Sequence, residues 1–135
     1  MRLELTRRAD YAVRAMLELA RTADEFNSGR RLAVASDIPP RFVAQVMGDL
    51  VNAGLVEART GRSGGYRLRR PADRISILDV VEAVEGDARR RTCVLRAIPC
   101  SRDGFCEVHH IFASAQDALL ERLAGASLSS VVDQP

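Results

Sequence analysis

The sequence predicts a mainly α-helical fold that carries one small β-hairpin. Three observations predict it: apolar residues recur at helical spacing in several segments, a glycine-rich turn separates two short β-type segments, and the composition is aliphatic. Of the 135 residues, 47% are hydrophobic but only 4% are aromatic, and tryptophan is absent. A chain of this length buries one core, so we expect a single domain with an appended helix.

The first helix is predicted from Thr6, its N-cap, to Ala23. Its apolar positions recur at steps of three and four residues: Ala9, Val13, Met16, Leu17 and Ala20. Further apolar residues widen this stripe over most of the circumference, which is typical of a helix buried between other elements.

A second helix is predicted to open at segment 37–40, where proline is well tolerated at the first helical position, and to end at Gly54. Its inward residues are Phe42, Val43, Val46, Met47, Leu50 and Val51. Its outer face consists of Arg41, Ala44, Gln45, Gly48 and Asn52. Between the two helices, Leu32–Ser36 predicts barely more than one helical turn.

Two short predicted strands, Leu55–Arg59 and Tyr66–Arg69, flank the glycine-rich turn Gly61–Gly65. Taken alone, this hairpin is also compatible with a plain surface turn. A helix, a tight turn and an arginine-bearing hairpin are, however, the parts of a winged helix-turn-helix. In that fold the helix enters the major groove and the hairpin wing lies along the backbone or the minor groove. A phosphate-binding P-loop is excluded, because no Lys-Ser/Thr pair follows the glycines.

The charge distribution also favours DNA as a partner. The net charge is only +2, but all 20 basic residues are arginine, and six of them fall between Arg59 and Arg74. Arginine suits bidentate contacts to phosphate and guanine. We therefore predict a double-stranded DNA operator, contacted by Arg41, Gln45, Arg59, Arg62, Ser63 and Gly64.

The carboxyl-terminal part of the chain predicts two more helices. Ser76 and Asp79 form a capping-box-like start for a helix over Ile77–Glu85, which Gly86 ends. A long amphipathic helix is predicted over Cys106–Gly125. Its apolar stripe consists of Val108, Ile111, Phe112, Ala115, Leu119 and Leu123. A stripe of this length at the end of a small domain needs a partner, so we expect a homodimer, which also suits the symmetric half-sites of DNA.

All three cysteines fall in one window in the pattern C-x6-C-x5-C-x2-H-H: Cys93, Cys100 and Cys106, followed by two histidines. Thiolates gathered this closely on a turn-rich segment suit a soft metal or an iron–sulfur cluster. Structural zinc is the main rival, although zinc sites usually bring cysteines in closer pairs. Redox thiols and simple packing remain further alternatives.

Other classes of protein fit less well. No apolar run approaches the length of a membrane span, so we expect no membrane partner. Free thiols suit a cytoplasmic location. No carboxylate pair or Cys–His pair comes with the other parts of a catalytic site, so we do not expect an enzyme.

These residues resemble the bacterial iron–sulfur winged-helix repressor family of the IscR and NsrR type, over nearly the whole chain. The matching pieces are Met1–Leu3, Tyr11–Val13, Ile38–Pro39, Phe42–Val46, Leu50–Val56, Gly64–Leu68, Ile75–Gly86, the three cysteines and Ser127–Val131. The resemblance implies a homodimeric repressor whose cluster controls operator binding in response to nitric oxide, redox state or iron. The predicted single turn at Leu32–Ser36 departs from the family, which has a full helix before the DNA-reading helix.

The resemblance also implies a fourth ligand beside the three cysteines. In NsrR-like members with a [4Fe–4S] cluster it is an aspartate near the amino terminus, donated by the opposite subunit, and Asp10 occupies that place. In IscR-like members with a [2Fe–2S] cluster it is a histidine three residues after the last cysteine, the place of His109. We favour Asp10 and [4Fe–4S], because an oxygen ligand is readily displaced from iron in a sensor. The predicted organisation is a winged helix-turn-helix domain over 1–86, a cluster-binding loop over 87–106, and a dimerisation helix with a tail over 107–135.

Overall fold

The computed structural model describes residues 3–86 and 107–134, which form six α-helices and one two-stranded antiparallel hairpin. The elements, in chain order, are α1 (Arg7–Arg21), α2 (Gly29–Ala35), α3 (Pro40–Asn52), β1 (Val56–Arg59), β2 (Gly65–Leu68), a 3-10 helix (Ala72–Arg74), α4 (Ile77–Glu85), α5 (His109–Gly125) and α6 (Leu128–Val132). The mainly α fold with a hairpin wing is confirmed.

Helix α1 lies at the centre of the fold. Thr6 caps it as predicted, because its Oγ1 accepts a hydrogen bond from the Ala9 amide at 3.2 Å. The buried residues of α1 are Ala9, Ala12, Ala15, Met16 and Leu19. They pack against α3, α4 and α6, so the wide apolar stripe is covered on several sides.

Helix α2 corrects the prediction of barely one turn before α3. It spans seven residues and begins at Gly29, because the Ser28 Oγ accepts from the Arg31 amide at 3.1 Å and caps it. Leu32 and Ala33 are buried against the core. This helix opens with a glycine and has only seven residues, so its local sequence signal is weak and burial stabilises it. The full helix-turn-helix pair is therefore present.

Helix α3 follows the sequence prediction. It begins at Pro40, and Gly54 lies just beyond it with φ +79°, a conformation that favours glycine. The side chains that face the core are Val43, Val46, Met47 and Leu50. An ion pair between Arg8 and Asp49 also joins α1 to α3 at the surface.

The hairpin pairs Val56 with Leu68 at its base and Arg59 with Gly65 at its tip. Each strand starts or ends one residue away from its predicted boundary, since Leu55 precedes the ladder and Gly65 belongs to it. Val56 is buried, so the base of the hairpin is fixed in the core while its turn projects from it.

The end of the described chain returns to the core. Helix α4 has the predicted capping box between Ser76 and Asp79. Helix α6 was not predicted, yet its Leu128 is fully buried. The Leu128 amide donates to the Ile75 carbonyl at 2.9 Å, so the segment before α6 is paired with the segment before α4.

Helix α5 begins at His109, later than predicted, because Glu107 and Val108 form a turn before it; Cys106 itself lies outside the described residues. It packs against α4, but none of its residues, all of which the structure describes, is buried. Ile111 is 69% exposed and Leu119 is 43% exposed. Within the described chain, no helix combines the length and the apolar content needed to cross a bilayer.

Candidate DNA-binding surface and cysteine segment

The outer face of α3 carries the two residues predicted to contact bases. Arg41 and Gln45 are both exposed and lie one helical turn apart. The Arg41 guanidinium carbon lies 4.8 Å from the ring centroid of Phe42, and that ring is 5.5 Å from the ring of Tyr11. The guanidinium of Arg41 thus lies over a partly buried ring that packs against the core, while Gln45 stands on the same open face.

The tip of the hairpin presents Arg62 and Ser63, which are both exposed. The Arg59 guanidinium donates to the Ser63 carbonyl at 2.8 Å and closes the turn from one side. A Cβ at Gly64 would lie 2.1 Å from the Arg59 carbonyl oxygen, so only glycine fits there. The predicted wing residues therefore lie together, and Gly64 shapes the turn rather than presenting a side chain.

The wing is fixed to the loop between α1 and α2 by a contact that the sequence analysis did not predict. The Asn27 amide donates to the Tyr66 carbonyl at 2.9 Å, and the Tyr66 amide donates to the Asn27 carbonyl at 2.8 Å. A Cβ at Gly65 would lie 2.2 Å from the Asn27 carbonyl oxygen, which explains the glycine. The Asn27 side chain is buried and donates to Thr22 Oγ1 at 2.8 Å. A single asparagine in a polar loop carries no sequence signal that separates it from an ordinary turn residue.

Not every arginine of the wing is equally available to DNA. Arg67 donates through its Nε to Glu57 Oε1 at 2.8 Å, across the paired strands. Both Arg67 and Arg59 also lie over the ring of Phe26. The cluster of six arginines between Arg59 and Arg74 therefore includes one that has an acidic partner within the wing.

The two candidate fourth ligands lie on different helices. Asp10, in the first turn of α1, pairs with Arg14: its Oδ1 accepts from Arg14 Nε at 3.0 Å and its Oδ2 lies 2.9 Å from the same guanidinium. Arg14 also donates to the Asp37 carbonyl at 3.2 Å. His109 is the first residue of α5, with its ring 5.6 Å from that of His110 and edge-on to it.

The predicted ligands Cys93, Cys100 and Cys106 lie outside the described residues. In residues 3–86 and 107–134, no group of three or more His, Cys, Asp or Glu side chains is arranged to hold a metal ion. Glu85, just before the cysteine segment (residues 87–106), accepts from the Thr6 amide at 3.1 Å through its carboxylate. The described chain therefore enters that segment beside the amino terminus of α1, one turn from Asp10. Three thiolates with a carboxylate or an imidazole form a donor set that suits an iron–sulfur cluster or zinc.

Comparison with known proteins accounts for nearly the whole chain. Residues 5–134 match the model of the family named "Rrf2: Iron-dependent Transcriptional regulator". The chain is 30% identical over 131 residues to the protein aau3 of Rhizobium meliloti, which covers 96% of this chain and 85% of that protein. It is 31% identical over 135 residues to the transcriptional repressor NsrR of Streptomyces coelicolor, covering 98% and 90% of the two chains.

Solved structures give the same fold. The cysteine regulator CymR of B. subtilis superposes with a TM-score of 0.80 at 24% identity, covering 97% of each chain. IscR of T. potens superposes with a TM-score of 0.79 at 23% identity, covering 96% of this chain and 86% of that one. These matches confirm the winged-helix fold and the resemblance on which the functional prediction depends. This chain belongs to the Rrf2 family of winged-helix transcriptional regulators, which are DNA-binding proteins and not enzymes.

Proposed function

We propose that this protein is an iron–sulfur-cluster-dependent repressor that binds its operator as a cytoplasmic homodimer. The observation that carries the proposal is what lies on either side of the cysteine segment in the chain: Glu85 accepts from Thr6 at the start of α1, and α5 begins at His109. The segment thereby connects the winged helix-turn-helix with the helix that exposes its apolar stripe. A change within the segment can alter how the two are held relative to each other.

Operator binding is assigned to two surfaces. Arg41 and Gln45, exposed on α3, contact base edges in the major groove. The wing residues Arg59, Arg62, Ser63 and Gly64 follow the phosphate backbone or the minor groove. The support for this assignment is that α3 and the wing turn both expose their polar residues, while the opposite face of α3 and the base of the hairpin are buried in the core.

The homodimer is proposed from α5. Its exposed apolar residues include Ile111, Phe112, Ala115 and Leu119, which recur at steps of one, three and four residues along the helix. A second copy of α5 would cover this stripe and place two α3 helices symmetrically, as a palindromic operator requires.

The cluster is assigned to the thiolates of Cys93, Cys100 and Cys106, with Asp10 of the opposite subunit as the fourth ligand of a [4Fe–4S] centre. His109 with a [2Fe–2S] centre is the alternative. A bound cluster supplies the chemistry that reacts with nitric oxide or responds to redox state or iron supply. The family alone does not select this signal, since the structural neighbour CymR is the global cysteine regulator of B. subtilis.

The contacts around Asp10 connect this proposed ligand to the turn before α3, the proposed DNA-reading helix. Asp10 holds Arg14, and Arg14 donates to the carbonyl of Asp37, which lies in the turn immediately before α3. If Asp10 binds elsewhere, Arg14 loses a charged partner next to that turn. One side chain therefore connects the candidate ligand to the start of the DNA-reading helix.

Anaerobic purification of the full chain, with an absorption spectrum and assays of iron, sulfide and zinc, tests the proposal. A brown protein with iron and sulfide supports it. A colourless protein with stoichiometric zinc would instead indicate a zinc-stabilised DNA-binding or protein-interaction module without a sensing role. Replacing Cys93, Cys100 or Cys106 by Ala should abolish the cluster spectrum in each case, and a variant that keeps the full spectrum removes that cysteine from the ligand set.

Asp10→Ala and His109→Ala separate the two ligand assignments, with His110→Ala as the matched control for loss of a neighbouring imidazole. We expect Asp10→Ala to lower cluster stability and to change how strongly cluster loss affects operator affinity, while His109→Ala leaves both nearly unchanged. The reverse result would favour His109 and a [2Fe–2S] centre. The DNA probe is a duplex carrying the site that the wild-type protein selects from a random-sequence pool.

A further inference from the structure

We propose that Phe26 is a positioning residue for operator binding, because its ring holds the Arg59 guanidinium in place for a contact with the DNA backbone. This inference rests on the proposed function only in taking Arg59 as a wing contact. Phe26 lies in the loop between α1 and α2, outside both surfaces assigned to DNA, and no pattern in the sequence indicates a role for it.

The geometry places two arginines over one aromatic ring. The guanidinium carbon of Arg59 lies 4.0 Å from the ring centroid of Phe26, and that of Arg67 lies 4.3 Å from it. These distances are within the range at which a cation is attracted to the face of an aromatic ring. The strand register explains the convergence, because Arg67 is paired with Glu57, and Glu57 and Arg59 lie two residues apart on the same face of β1.

The two arginines have different roles in this arrangement. Arg67 is bound to Glu57, so its charge is compensated within the wing and it supports the ring. Arg59 is exposed and donates to a backbone carbonyl, that of Ser63. It therefore keeps its positive charge available to phosphate, while the ring and the carbonyl restrict its conformations.

The position of the Phe26 ring relative to the wing is fixed by the backbone of its neighbour. Phe26 immediately precedes Asn27, whose backbone pairs with Tyr66 through hydrogen bonds of 2.9 and 2.8 Å. The position of Phe26 relative to β2 is thus fixed by the backbone rather than by the arginines alone. A side chain that is already ordered loses less conformational freedom when it binds, so Phe26 should raise the contribution of Arg59 to DNA affinity.

The test compares Phe26→Leu, which keeps an apolar side chain but removes the aromatic face, with Phe26→Tyr, which keeps the face. The readout is affinity for the selected duplex across a salt series, with circular dichroism and thermal unfolding to verify the fold. We expect Phe26→Leu to weaken binding by roughly two- to fivefold, the size of an exposed cation–π contact, and Phe26→Tyr to bind as the wild type does.

Double variants distinguish positioning from a general structural role. In the Arg59→Ala background, Phe26→Leu should have no further effect on affinity, because the group that it positions is gone. In the Arg62→Ala background, which removes a wing arginine that is not over the ring, the full loss should persist. A loss of equal size in both backgrounds would overturn the inference.

The single variants separate this inference from the proposed function. Weakened binding by Arg59→Ala together with unchanged binding by Phe26→Leu would overturn the role of Phe26 and leave the wing contact standing. Unchanged binding by Arg59→Ala would overturn both the assignment of Arg59 to the operator and the positioning role.

Discussion

The amino-terminal unit, residues 5–86, and helix α5 differ in where their apolar side chains go. In the first, helices α1 and α3 bury residues such as Met16 and Leu50 completely. In the second, Ile111 and Leu119 remain exposed although α5 is the longest helix described. The amino-terminal unit closes its core together with Leu128 of α6, whereas α5 leaves apolar surface that a partner can cover.

In this arrangement, one part of the chain stabilises the fold and another part, α5, is available for association. The parts proposed to contact DNA are fixed by burial and by the Asn27–Tyr66 pairing, so they keep their shape in one chain. The proposed dimer contact lies on a helix that adds little to that core. Since the cysteine segment joins the two, we propose that its state changes the spacing of the two α3 helices of the proposed dimer without unfolding either one.

The largest expected effect comes from Leu50→Ala, compared with the same substitution at Leu119. Leu50 is fully buried, so we expect a loss of about 2–5 kcal/mol in the free energy of unfolding. Leu119 is 43% exposed, and its replacement should cost much less and act mainly on association. Urea unfolding at several protein concentrations measures both. Equal losses that do not depend on concentration would remove the contrast between the two regions.

Ile111→Glu tests the exposed stripe directly. A carboxylate within a close contact between two α5 helices would be desolvated without a partner, so we expect the dissociation constant of the dimer to rise by roughly 100-fold or more. Glu121→Lys, which reverses a charge at another exposed position on the same helix, should leave association nearly unchanged. Sedimentation velocity measures both, and a dimer that survives Ile111→Glu places the subunit contact elsewhere.

Local signals in the sequence were enough to predict the helices that have a capping residue or a long apolar period. The hydroxyl of Thr6 and the Ser76–Asp79 box mark the starts of α1 and α4, and the structure has both. Helix α2 was predicted too short because it opens with a glycine and is too short to show an apolar period, and its stability comes from burial of Leu32 and Ala33. Helix α6 was missed for a related reason, since pairing of residues 126–128 with residues 75–77 holds it.

The candidate site also contains residues that the sequence predicted and residues that it did not. Exposed polar positions such as Gln45 and Arg62 follow from periodicity and turn chemistry, so the sequence alone located them. Phe26 and Asn27 act on residues that lie far along the chain, and no local pattern indicates which strand a loop will meet. The cysteine ligands stay a prediction, because they lie outside the described residues.

Gly65→Ala tests whether the wing depends on its close approach to the loop before α2. Gly65 has φ +131°, and an added Cβ would lie 2.2 Å from the Asn27 carbonyl oxygen. We expect a loss of about 1–3 kcal/mol in the free energy of unfolding, and weaker DNA binding. Hydrogen exchange at the Tyr66 amide, which donates to that carbonyl, should become faster. Unchanged exchange would mean that the wing keeps its pairing without the glycine.

Gly48→Ala is the same chemical change at a position where the opposite sign is expected. Gly48 lies within α3, and a Cβ there would have no heavy atom within 4 Å. Alanine is the better helix former, so we expect the free energy of unfolding to rise by about 0.5–1 kcal/mol. Gly48 also lies on the outer face of α3. The DNA affinity of Gly48→Ala therefore tests separately whether the added methyl group contacts the duplex. If Gly48→Ala instead lowered the free energy of unfolding, this face of α3 would have to pack against another part of the chain.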